Sequence, residues 1–321
     1  AIYNYNRNKL DELPNADQYL YSSYWGSSSL VPTNDYMFVE GKAIGLVRGF
    51  VSEGFYTVND FRYENGQYIL KEGIPDITKA LTATYMHPFN IPNGQTAFPG
   101  AAKFRDVNNS GTVDLDDATC LGEVMPRHTG SFQLNFNYKN FDLSSNFNWT
   151  AGGKVYNVAA MINASGQEFD GIGAQRTSWV ADTYKVYNVN SSGDLYAVTD
   201  PNELNALNAN AKYHLPYHQS GITSSEWLED GSYLRLQTLT LGYTLPHTVL
   251  NKIHIEKLRI YLTATNLFTI TGYSGIDPEV NATPTGQSGF YSNLRVFPTL
   301  NMDFGTYPRA RTFTLGGNIT F

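Results

Sequence analysis

Arg311–Phe321 reads RTFTLGGNITF, and its alternation is the pattern on which the fold turns. Arg311, Phe313, Leu315, Gly317, Ile319 and Phe321 fall in one phase, and Thr312, Thr314, Gly316, Asn318 and Thr320 in the other. Successive side chains on a strand point to opposite faces, so this segment has one apolar face and one wet, uncharged face. A soluble edge strand is normally blunted by charge or proline, and neither occurs after Arg311. A bilayer-facing strand of a closed barrel needs this pattern, with apolar residues toward lipid and small polar ones toward the lumen. A half-buried strand of a soluble sandwich carries the same alternation, so the segment is decisive only if its neighbours repeat it.

They do. In Gly130–Tyr138, Phe132, Leu134, Phe136 and Tyr138 alternate with Ser131, Gln133, Asn135 and Asn137. Lys139 and Asn140 supply a tight turn. The return strand places Phe141, Leu143, Phe147 and Trp149 opposite Asp142, Ser144, Asn146, Asn148 and Thr150. Aromatics stand at both ends of the apolar stripe, where a bilayer has its interfaces. In Ser232–Leu245 the residues Leu239, Leu241, Tyr243 and Leu245 share one phase, but Leu234 and Leu236 lie in the other. That slip predicts a bulge or an extension beyond the membrane. Lys257–Thr265 alternates again, with Leu258, Ile260, Leu262 and Ala264 opposite Arg259, Tyr261, Thr263 and Thr265.

Short turns at 139–140 and 246–256 alternate with long loops at 151–231 and 266–307. Outer-membrane barrels sort their connections in this way, short on the inner side and long outside, and a sandwich has no reason to. Counting a partial first strand in residues 1–8, about six spanning strands are predicted. Six strands could not close the pore that such loops imply, so the fold expected is the C-terminal portion of a large transmembrane antiparallel β-barrel. The opening AIYNYNRNKL has no initiator Met and no apolar core, so the expected start lies partway along a strand, with any signal sequence upstream.

Bulk composition agrees. The 321 residues are 41% hydrophobic, 16% charged and 14% aromatic, with 23 Tyr and 18 Phe. Mean hydropathy is −0.33, and no apolar run approaches the roughly 18 residues of a membrane-spanning helix. A net charge of −7 argues against a nucleic-acid surface. The single Cys120 leaves neither an internal disulfide nor a cysteine-based zinc cluster. Between Lys9 and Thr129 the pattern is irregular but aromatic, an ordered loop region with short strands expected at 36–39, 44–50 and 68–70. In DPNELNALNA, Asp200 would cap a short helix with Pro201 in its first turn.

One chemical motif stands out. Residues 106–117, DVNNSGTVDLDD, fit a calcium loop, with oxygens from Asp106, Asn108 and Ser110, the Thr112 carbonyl, then Asp114 and Asp117. Gly111 would permit the sharp turn, and Val113 would pin the loop to a neighbour. Ser110 in place of a carboxylate and Asp117 in place of Glu are departures, and a metal-free Asx-rich turn is the alternative. Within 151–231, Trp179, Tyr213, Tyr217 and Trp227 could stack on a sugar or peptide ligand, or pack the loop against itself. His214 and His218 are four apart, but Pro216 breaks a helix between them. No nucleophile–base pattern, phosphate-cradling loop or CxxC occurs, so an enzyme is not expected.

Several runs closely resemble signatures of SusC/RagA-type TonB-dependent transporters. They are WLEDGSYLRLQTLTLGY at 227–243, ATNLF at 264–268, GIDPEV at 275–280 and YPRART at 307–312 before the terminal Phe321. VEGKAIG at 39–45, GFY at 54–56 and the calcium-type loop precede them in the family's order. The resemblance implies the last part of an outer-membrane barrel whose plug and TonB-contacting segment would lie in an N-terminal part outside this chain. It also implies a SusD-like surface lipoprotein as lid, the remainder of the barrel and the lipid bilayer as partners, and import of a glycan or oligopeptide. The competing reading is a secreted, calcium-stabilised binding module or adhesin, which would be soluble without detergent.

Overall fold

The computed structural model describes residues 1–14, 16–22, 31–82, 87–165, 181–215, 221–250, 255–280 and 301–321. Six strands form one antiparallel sheet in chain order: β1 Ile2–Tyr5, β2 His128–Tyr138, β3 Phe141–Ala151, β4 Tyr233–Thr244, β5 Lys257–Thr271 and β6 Thr312–Thr320. The β2–β3 turn is the expected pair, with Lys139 at φ 52°. All the long connections leave from the other end of the sheet, where β1 meets the start of β2 at Tyr5 and His128.

The register puts the apolar phases on one face. Across β2, β3, β4, β5 and β6 one row reads Phe136, Leu143, Leu241, Leu262 and Leu315. The row beside it reads Leu134, Ser145, Leu239, Ala264 and Phe313. This face is open: Leu241 is 47% exposed, Phe313 65% and Leu315 75%, while Phe132 is half-buried by stacking on Phe147 at 4.7 Å. The polar interruption, Ser145, donates its hydroxyl to the Leu134 carbonyl. Aromatics close both ends, Tyr3 stacked on Trp149 at one and Phe141 tilted against Tyr243 at the other. Trp149 and Phe141 are eight residues apart, about 27 Å along the strand and about 21 Å of height at a 40° tilt. That height suits the apolar band of a membrane barrel.

The slip at Leu234 and Leu236 is a bulge. The register shifts between Leu236 and Thr238 on β4, and opposite it β5 steps from Thr265 to Phe268. The bulge returns Leu234 and Leu236 to the apolar face, beside Trp149 and Phe147. β5 corrects the sequence expectation, because Asn266–Thr271 continues the strand instead of opening the third loop. Asn266 adopts φ 50°, a left-handed conformation that asparagine tolerates, and Phe268 and Ile270 resume on the apolar face. On the polar face Asp142 of β3 and Arg259 of β5 meet across β4, Nε to Oδ1 at 2.9 Å. Gly242 lies beneath them, where a Cβ would come within 2.6 Å of both side chains.

The long connections fold into packed layers with cores of their own. The larger core gathers Phe50, Tyr56, Tyr68, Phe98 and Val113 from the first connection with Tyr184, Leu204 and Ile222 from the second. The smaller joins Tyr36 and Val47 to Tyr156 and Trp227 and to Met302 of the third. Strands occur at Tyr36–Val39, Leu46–Gly49 and Gln67–Leu70, and a helix at Pro201–Leu207, where Asp200 accepts N–H bonds from Asn202 and Glu203. A second helix, Val158–Ser165, is apolar on too many sides to show a helical period in the sequence.

Leu241→Arg should cost about 2–4 kcal/mol in detergent or lipid, read from urea unfolding, while Thr240→Arg on the polar face costs under about 1 kcal/mol. Equal costs would mean that both faces meet water.

Candidate functional site

The calcium-type loop closes on itself through its oxygens. Asp106 accepts from the Ser110 N–H at 3.0 Å and the Gly111 N–H at 2.7 Å. The Asn108 side-chain oxygen accepts the same Ser110 N–H at 2.9 Å, and the Ser110 hydroxyl donates to the Thr112 carbonyl at 2.8 Å. Asn109 at φ 57° and Gly111 at φ 85° make the reversal, and this backbone is why position 111 wants glycine, since nothing lies within 4 Å of a Cβ there. Val113 is fully buried in the larger core, and Thr112–Val113 pairs in parallel with Asp76–Ile77.

Asp117 is fully buried and accepts N–H bonds from Val107 at 2.7 Å, Asn108 at 3.2 Å and Asp114 at 2.9 Å. Three donors to one carboxylate leave room for about one more partner. Asp114 accepts from the Asp116 N–H at 2.8 Å. Among the described residues no group of three or more His, Cys, Asp or Glu side chains is arranged to hold a metal. The donor set is mixed instead: one carboxylate, one amide, one hydroxyl and one carbonyl drawn together around Ser110, with Asp117 closing the loop. Oxygen donors of this kind are the class that calcium takes.

The aromatic candidates separate. Trp227 is 4% exposed inside the smaller core, the second of the two alternatives the sequence left open: it packs the connections against one another and has no face to offer a ligand. Tyr213 is half-buried and forms an isolated bridge with Thr183. Trp179, Tyr217 and His218 lie outside the described residues. His214 is buried, its Nδ1 donating to the Leu215 carbonyl at 2.7 Å and its Nε2 3.9 Å from the Glu226 carboxylate. Burial pushes the Glu226 carboxyl above its usual range, with His214 opposing. Glu229 works as a tie: it accepts from the Asn157 amide and from the N–H and hydroxyl of Ser274.

Sequence reasoning missed the strongest polar cluster. Arg235 of β4, 1% exposed, reaches Asp277 at 2.5 Å, Glu279 at 3.2 Å and the Thr269 hydroxyl at 3.1 Å. Arg309 reaches Glu279 at 2.8 Å and Asp277 at 3.9 Å. The available signal was charge within the SYLRL, GIDPEV and YPRAR runs, far apart in sequence and of no recognisable spacing.

No family model matches the chain. It is 28% identical over 316 residues to TonB-dependent receptor P3 of Formosa agariphila, covering 98% of this chain and 26% of that protein. TonB-dependent receptor P26 of the same organism is 30% identical over 223 residues, 69% of this chain and 20% of that protein. TonB-dependent receptor SusC of Bacteroides thetaiotaomicron is 27% identical over 225 residues, 68% of this chain and 17% of that protein. Among solved structures, the RagAB peptide transporter matches with a TM-score of 0.58 at 18% identity, over 99% of this chain and 26% of that one. The RagAB peptide importer in its closed-closed state matches with a TM-score of 0.55 at 20% identity, with the same shares. The chain therefore spans about a quarter of the length of the first of these relatives. The resemblance to SusC/RagA-type receptors holds over nearly the whole chain, and the fold is an all-β partial barrel.

Because the native state holds the Glu226 proton more tightly than the unfolded chain does, its contribution is full below the usual carboxylate value near 4.5. It is lost as pH rises through the raised native value. Thermal unfolding of the loop layer followed from about pH 4 to 8 should show stability falling with pH, and Glu226→Gln should flatten that slope.

Proposed function

We propose that this chain is the C-terminal wall of a larger TonB-dependent barrel in the bacterial outer membrane. The assembled protein would import an oligomeric nutrient, a glycan or an oligopeptide, together with a SusD-like surface lipoprotein. The observation that carries the reading is the two-faced sheet: an open apolar belt between aromatic rows on one side, and Ser, Thr, Asn and Gln on the other. β1 and β6 each leave one edge unpaired within this sheet, and an unpaired edge is not tolerated in hydrocarbon. The remainder of the barrel would cover both. The names of the curated relatives support coupling to TonB, and the long connections on one end supply the surface that a lid and a substrate would touch. Tyr213, with Trp179 and Tyr217, is the proposed substrate contact among the loop aromatics. Passage would follow binding at the loops, through a lumen lined by the polar face.

The loop at 106–117 is proposed to take one calcium ion through Asp106, Asn108, Ser110, the Thr112 carbonyl and Asp117, with Asp114 as an outer ligand. Its role would be structural, stiffening a surface connection against the larger core.

Affinity purification of the tagged protein from outer membranes should require detergent and bring down a surface lipoprotein. A protein that is soluble without detergent and purifies alone would favour the secreted module instead. Calcium at a hundredfold its Kd should stabilise the loop layer by about 2.7 kcal/mol, and Asp106→Ala should abolish the gain. Identical unfolding in calcium and in chelator would remove the metal from the account.

A further inference from the structure

Just past the aromatic row of Tyr3, Tyr5, His128 and Trp149, the chain builds a cavity of about 310 Å³ lined by Arg7, Lys9, Lys42 and Arg127. The row itself is continuous: Tyr3 stacks on Trp149, its hydroxyl meets His128 Nδ1 at 2.8 Å, and Tyr5 lies 5.1 Å from the His128 ring. Tyr3 and Tyr5 share a phase on β1, and Arg7 and Lys9 are the next positions in it. The Asn6 N–H donates to the Arg127 carbonyl at 2.9 Å, so the pairing continues past Tyr5. Arg7 thus lies about 7 Å further along the chain than Tyr5, about 5 Å further from the apolar belt at the same tilt.

The walls are held from behind. The Asn8 side-chain oxygen accepts the Ile44 N–H at 2.7 Å, the Leu10 N–H donates to the Lys42 carbonyl, and the Gly41 N–H donates to the Leu10 carbonyl. One carboxylate lines the cavity, Glu123, and it is committed to Arg127 at 2.8 Å. Among the described residues the one carboxylate paired with Lys9 is Asp11, an exposed, loose contact at 3.7 Å that is worth little in water. Among the described residues Arg7 and Lys42 have no carboxylate in ion-pair range. Four cations around one hollow are unusual in a chain of net charge −7.

Position decides what such a cavity could hold. Aromatic rows sit at the boundary between hydrocarbon and headgroups, so the next few ångströms outward are at headgroup depth. A basic recess at that depth is placed for a lipid phosphate. We propose that this cavity binds the phosphate of an anionic lipid headgroup in the leaflet on the loop side, with Arg7 and Lys42 as its principal contacts. The inference rests on the membrane reading above.

The test places the full-length protein that contains this chain in phosphatidylcholine nanodiscs. Three bilayers are compared: one doped with bisphosphorylated lipid A, one with its dephosphorylated form, and one doped with bisphosphorylated lipid A in the presence of free inorganic phosphate. Retained lipid is counted by native mass spectrometry. The wild type should keep lipid A only when it is phosphorylated, and Arg7→Glu with Lys42→Glu should lower retention about tenfold or more. Lys71→Glu, in the loop layer, should leave it unchanged. Arg7→Gln with Lys42→Gln serves if the reversed pair fails to insert, and should give a smaller loss in the same direction. Equal retention by wild type and variant, or of both lipid forms, overturns the site. Displacement of lipid A by free phosphate overturns its assignment to a lipid. A wild type that does not enter the bilayer at all sinks the barrel reading; one that enters without phosphate preference sinks only this inference.

Discussion

Unbroken backbone pairing across one two-faced sheet is the constraint on which this molecule depends. In the bilayer setting proposed above, each N–H and C=O in the belt would have to find its partner in the ladder, because the cost of leaving one unpaired in hydrocarbon is several kcal/mol. The six strands meet that demand from β2 to β5, where both neighbours are present. The apolar phase must also stay on one face through every irregularity. At Leu236–Thr238 the extra residue keeps Leu234 and Leu236 beside Trp149 and Phe147, and Asn266 performs the matching step on β5. The bulge is therefore part of the face, since without it the upper half of β4 would turn its leucines inward.

Above the belt the chain is organised differently. The connections are held by two aromatic-rich cores and by a few buried polar knots, two of which join segments distant in sequence while the third is local. Arg235 fastens the third connection to a strand, Glu229 ties the second to the third through Asn157 and Ser274, and Asp117 closes the loop begun at Asp106. A buried guanidinium with two carboxylates is costly to desolvate and costly to break, so it specifies an arrangement more than it adds stability. The result is an ordered loop layer on an open sheet, which a chain of short strands and turns could not achieve through local preference alone.

Most of the sheet could be read from the amino acids, and the reason is physical. A sheet with one apolar and one polar face imposes a period of two, so Phe132–Tyr138, Phe141–Trp149, Leu239–Leu245 and Phe313–Phe321 announce themselves. The upper half of β5 was missed because Asn266 interrupts the period, and asparagine in a left-handed turn looks like a loop residue in sequence. Val158–Ser165 was missed for lack of a polar face. The loop at 106–117 was legible because every ligand position is an oxygen at fixed spacing. Trp227 misled because an aromatic residue in a polar stretch looks the same whether it faces a ligand or a core. The Arg235 cluster was invisible for the opposite reason, its two arginines lying about 30 to 45 positions from the carboxylates they meet.

The Arg235 cluster has a consequence for how such chains are identified. Its members come from three of the runs on which the resemblance was first noticed, and in the folded chain they are braces against one strand. What makes the chain recognisable is thus carpentry, and carpentry is silent about cargo. Two proteins could share these runs letter for letter and still admit different molecules, because the surfaces that would choose between them lie elsewhere.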